Sequence, residues 1–111
     1  MLSLSKTKEP DPLPRPLNEN ALRQLITKAV DKGWVREGFH AEHERAYRNI
    51  SMEDIIFGLE HANWNIVSQE YDATRKNWKY KIKTVDIEDA ELVLLIAPDP
   101  DAGTVFVVTK F

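Results

Sequence analysis

The sequence predicts an α+β fold in which N-terminal helices pack on one face of a four-stranded antiparallel β-meander. Three observations predict it. The first half of the chain repeats its apolar residues with a helical period, and the second half switches to strand-like alternation and β-branched runs. The segments between the second-half runs are short and rich in turn residues, which suits hairpins and leaves no room for parallel crossovers. At 111 residues with 42% hydrophobic content, the chain is one domain's worth of sequence with a modest core.

Residues 1–17 read as an extended tail before a single domain at 18–111. Pro10, Pro12, Pro14 and Pro16 fix their own φ and push their predecessors out of the helical region. Such a segment suits a ligand for an aromatic groove or, more simply, a linker or an arm laid along the domain. Asn18–Lys32 has a helical pattern: Leu22, Leu25, Ile26, Ala29 and Val30 form one apolar stripe. Asn18 or Asn20 can cap its start, and Gly33 its end, with Trp34 folding back over the last turn. Val35–Phe39 then reads as a short extended connection.

His40–Arg48 is expected to be helical, with His40, His43 and Tyr47 on one face, and Asn49 suits a left-handed ending. Ser51 and Asp54 form a capping-box pair for the next helix, whose core face is Ile55, Ile56, Leu59 and Ala62. Four strands follow: Ile66–Tyr71, Trp78–Val85, Leu92–Ala97 and Thr104–Lys110. In the second, Trp78, Tyr80, Ile82 and Thr84 alternate with Lys79, Lys81, Lys83 and Val85. The third is continuously apolar, as a central strand should be.

Composition narrows the functional classes. Cysteine is absent, which excludes a disulfide framework and any thiol-based site and fits a reducing, cytoplasmic setting. No apolar run approaches a membrane span, and the first ten residues lack a signal peptide's apolar core. The net charge of −3 gives no global attraction to nucleic acid, so RNA binding would rest on a local basic patch.

Three constellations offer chemistry. His40 and His43, with His61 or a carboxylate, could share a metal ion, but no recognised metal spacing occurs and ordinary helix histidines are the simpler account; no metal or cofactor is expected. Arg75, Lys76, Lys79, Lys81 and Lys83 lie within nine residues free of acid. The last three share a strand face and could hold successive phosphates. They equally suit a solvated sheet face paired with Asp86, Glu88, Asp89 and Glu91, and Trp78 and Tyr80 belong to the opposite face. Finally, a histidine near such cations has the composition of a metal-independent ribonuclease, one group moving a proton while the cations stabilise phosphate charge.

His40-Ala41, Arg48-Asn49-Ile50-Ser51 and the following Ile55–Leu59 helix resemble the opening signature of the bacterial family called domain of unknown function 4258. The Trp78–Thr84 and Leu92–Ala97 strands and the final Val108-Thr109 are similar to its later part, so the resemblance spans about Leu22 to Phe111. The order of elements is also similar to that of the motility/quorum-sensing-regulator toxins of the RelE-like group. That resemblance implies a RelE-like fold, an endoribonuclease activity on RNA and an antitoxin or other protein partner. It carries His40, Arg48 and Thr109 over as site positions. Lys81 joins them as a phosphate-stabilising group, with Arg45, Lys79 and Lys83 positioning RNA. Asn49 replaces the family's usual Gly, and Glu44 stands where a basic residue is common. The alternative is a non-catalytic interaction module, using Thr104–Phe111 as an edge strand.

Overall fold

A computed structural model describes residues 15–37, 50–61 and 63–110, and for Thr109 and Lys110 the backbone only. The expected helix at 40–48, the turn at Asn49 and the core position at Ala62 lie outside these residues. Two helices and five strands are described: α1 (Glu19–Lys32), β1 (Val35–Glu37), α2 (Met52–Glu60), β2 (Asn65–Asp72), β3 (Asn77–Val85), β4 (Glu91–Asp99) and β5 (Thr104–Lys110).

The class is α+β, and β2 to β5 run as an antiparallel meander with β4 at the centre. The sheet differs from expectation in having five strands, in the order β1-β5-β4-β3-β2. Val35–Glu37 is a strand, pairing parallel to β5 with Val35 opposite Val105 and Glu37 opposite Val107. Three residues are too few for a readable alternation, and their pairing depends on a partner seventy positions later. The same fact corrects the proposed edge: β5 is internal, and the sheet edges are β1 and β2.

α1 forms where its stripe and caps agree. The Asn18 side chain accepts the Ala21 N–H at 2.8 Å, and Gly33 ends the helix at φ 73°, where its N–H and that of Trp34 reach the carbonyls of Val30 and Ala29. Leu22, Ile26 and Ala29 are buried. α2 begins with the expected capping box: Asp54 N–H donates to Ser51 Oγ at 3.1 Å, while Asp54 Oδ2 accepts the Ser51 N–H at 3.1 Å. The other Asp54 oxygen accepts the Ile87 N–H, tying the helix start to the β3–β4 turn. These hydrogen bonds, that from Ser51 N–H foremost, hold the Asp54 carboxyl below the usual carboxylate range against partial desolvation.

Both helices cover the same sheet face, which Tyr80, Ile82, Leu92, Leu94, Ile96, Val105 and Val107 line as buried core. Gly58 brings α2 close to the sheet, and its carbonyl accepts the buried Thr84 hydroxyl at 2.8 Å. Trp64 closes the end of the core. Its indole N–H donates to the Leu59 carbonyl at 3.1 Å, and the Arg23 guanidinium lies 3.9 Å above its ring while donating to its carbonyl. At the far end the chain entering α1 is anchored by Tyr80, whose hydroxyl oxygen accepts the Leu17 N–H at 2.6 Å.

Candidate functional site: the open face of the sheet

Among the described residues no helix covers the second face of the sheet, and strand alternation decides what that open face carries. On β3, every second residue from Trp78 to Thr84 faces the helices, so Lys79, Lys81 and Lys83 project from the other side. Register then fixes their neighbours. Lys81 stands opposite Ser68 on β2 and Leu95 on β4, and Leu95 stands opposite Thr109 on β5. Lys81 and Thr109 therefore share one cross-strand row, with backbones roughly 10 Å apart at the usual strand spacing. Lys79 pairs with Glu70, and Lys83 with Asn65 and Val93. A shallow depression of about 320 Å³ over the Lys81 row is lined by Ser68, Glu70, Lys79, Lys81 and Leu95.

Two of the lysines are matched by carboxylates. Lys79 Nζ lies 3.0 Å from Asp72 Oδ2, with both side chains about one-fifth exposed, and Lys83 Nζ lies 2.9 Å from Glu91 in a more open pair. Glu91 belongs to the acidic turn that the sequence offered as a partner. Asp72 does not. It stands at the other end of the chain's β2–β3 turn, where its Oδ1 accepts the N–H groups of Thr74 and Arg75. The Arg75 N–H, then Lys79, holds its carboxyl below the ordinary range. An Asp opening a turn is a known Asx-turn signal. The hairpin register pairs Asp72 with Asn77 and so sets its side chain diagonally across from Lys79, a consequence of that turn's length.

Beyond the lysines the open face is apolar toward β5. Val93, Leu95 and Ala97 lie along β4, and Phe106, 45% exposed, lies between Ala97 and Arg36 in the next row. His40, Arg48 and Arg45 lie outside the described residues, as does His43. Among the described residues no group of three or more metal-ligating side chains converges, and the His61 ring accepts the Asn63 N–H through Nδ1. No described helix is long and apolar enough to cross a membrane. Compared with known proteins, the chain matches no protein-family model, no curated protein and no solved structure.

Proposed function

We propose that the chain is a RelE-like toxin homologue acting on RNA in the bacterial cytoplasm, with the open sheet face as its working surface and an antitoxin-type protein as its partner. The observation that supports this most directly is the shared row of Lys81 and Thr109, which juxtaposes two residues chosen from distant parts of the sequence. In this reading Lys81 stabilises charge on the phosphate, Lys79, Lys83 and Arg45 position the strand, and His40 and Arg48 supply proton transfer and charge neutralisation. No metal takes part in the proposed chemistry.

The test is cleavage of RNA, free or on ribosomes, in magnesium-free buffer with excess chelator. Wild type is expected to cleave, with His40→Ala and Lys81→Ala each reduced by at least about a hundredfold. Equal background cleavage by wild type and His40→Ala removes the enzyme. A second reading, a non-catalytic protein-interaction module, draws on the ion pairs of Lys79 and Lys83, which leave the face amphipathic rather than strongly basic. A partner that binds wild type and is lost on Phe106→Ala, with no RNA cleavage, selects that reading.

A further inference from the structure

A second concavity lies at the end of the sheet where the β2–β3 and β4–β5 turns come together, a cleft of about 420 Å³. It is separate from the lysine row, because its floor is Trp78 and Tyr80, which face the helix side of β3. Its volume falls in the range of small-ligand sites. One wall is cationic: Arg75 and Lys76 come from the β2–β3 turn and Arg15 from the chain leading into α1. Lys76 is held there at φ 56°, a left-handed backbone that a Lys seldom adopts. None of these three cations has an ion-pair partner among the described residues. The opposite wall carries Asp99 and Asp101. Asp99 is turned into its own loop, accepting the N–H groups of Asp101 and Ala102, and Asp101 is exposed.

The floor adds an aromatic surface. Trp78 presents a half-buried indole, braced edge-on by Tyr71 at 5.5 Å between ring centroids. Asn77 also borders the cleft, but by the alternation of β3 its side chain belongs with the lysines, and its side-chain oxygen is closed off from solvent. A ligand that matches the cleft has an anion for the three cations and a flat ring for Trp78. Three cations facing two carboxylates balance a single phosphate monoester, of charge about −1.5 to −2, better than a polyphosphate.

We propose that this cleft binds a nucleoside monophosphate, its phosphate held by Arg15, Arg75 and Lys76 and its base against Trp78. Free nucleotide and the phosphorylated end of an RNA strand share that chemistry. The proposal is independent of ribonuclease activity, since no residue of the lysine row takes part.

Calorimetry on the full chain tests it with adenosine and guanosine monophosphates, ribose 5-phosphate, inorganic phosphate, and an oligoribonucleotide with and without a 5′-phosphate. The expected result is saturable binding of the nucleotides, at least about tenfold tighter than ribose 5-phosphate. The Arg75→Gln/Lys76→Asn variant should lose at least about tenfold in affinity at an unchanged melting temperature, Asn being tolerant of the left-handed backbone. Trp78→Leu should remove the preference for nucleotide over ribose 5-phosphate while leaving the affinity for ribose 5-phosphate unchanged. Tighter binding of the phosphorylated oligonucleotide than of free nucleotide identifies the strand end as the source, and the reverse identifies the free nucleotide. Absence of binding, equal binding by the double variant, or inorganic phosphate binding as well as nucleotide overturns the proposal.

Discussion

Gly58→Ala should destabilise the protein, although it replaces a helix-interior glycine. In an open helix that change is favourable by about 1 kcal/mol. Here a β-carbon at position 58 would sit 2.7 Å from Thr84 Cγ2 and 3.0 Å from the Val85 carbonyl oxygen. Neither neighbour yields cheaply. Threonine is stiff about χ1, and rotating its methyl away would break the buried Thr84 hydroxyl bond to the Gly58 carbonyl. The Val85 carbonyl belongs to the backbone of β3 where Val85 pairs with Glu91. Helix and sheet must separate, at an overpacking cost of about 1–3 kcal/mol, with about 1 kcal/mol more if the hydroxyl bond is lost. Net destabilisation of about 1–3 kcal/mol corresponds to a fall of roughly 5–15 °C in Tm for a domain of this size. Thermal and urea unfolding followed by circular dichroism measure it. Thr84→Ser keeps the hydroxyl and deletes the methyl, so the double variant should show favourable coupling of about 1 kcal/mol. A stabilised Gly58→Ala, or a cycle with no coupling, would refute the close approach of α2 to β3.

Burial raises the Tyr80 pKa above 10, the Leu17 N–H opposing it in part, so the neutral phenol contributes stability that is present below pH 10 and lost as pH rises beyond it. Tyr80→Phe should flatten that alkaline decline, cost about 1 kcal/mol at neutral pH and speed amide exchange at Leu17. Asp54 and Asp72 have lowered pKa values, so their contributions are present above pH 3.8 and fade as pH falls through the folded-state values. Asp54→Asn should reduce the acid dependence of Tm, and Ser51→Ala should cost about 1 kcal/mol through the lost cap. On the RNA-binding reading, Glu91→Gln frees Lys83 and should steepen the salt dependence of single-strand RNA affinity by about 0.7 in the log–log slope. An unchanged slope in filter binding would show that Lys83 touches no phosphate.

Local chemistry was readable in the sequence wherever cause and effect lie within one turn or one strand. The caps of α1 and α2 follow from Asn18, Gly33, Ser51 and Asp54, and the alternation of β3 separates Tyr80 and Ile82 from the lysines without any tertiary knowledge. What escaped depends on distant parts of the chain. β1 is a strand because β5 offers it an edge, and nothing in Val-Arg-Glu alone says so. Trp64 carries no local sign of its burial, yet it belongs to the core, with Arg23, forty-one positions earlier, bonding its carbonyl and lying over its ring. The site divides in the same way. The lysine ladder is visible as a pattern, but its neutralisation by Asp72 and its row with Thr109 are properties of register. The end cleft joins two turns and an N-terminal segment that share no local signal.

β3 therefore separates two surfaces that can be perturbed independently. Its helix-side residues are tied to the core and to the N-terminal arm: Thr84 to α2, Tyr80 to Leu17, Trp78 to Tyr71. Of its open-side lysines, Lys79 and Lys83 are paired with carboxylates, and the exposed Lys83–Glu91 pair contributes about 0–1 kcal/mol. Substitutions at Lys81 or Lys83 should consequently change binding without unfolding the protein, whereas substitutions at Tyr80 or Thr84 should register first in stability. The end cleft sits at the junction of these regimes: its floor is structural, but its cations, Arg75 and Lys76, stand on a turn whose backbone is fixed by Asp72. Removing their charge leaves that scaffold in place, so a loss of ligand affinity at constant Tm isolates recognition from folding. The converse holds for Asp72: its carboxylate supports both the turn that presents the cations and the pairing of Lys79. Asp72→Ala should then weaken both surfaces together, which no single lysine or arginine substitution does.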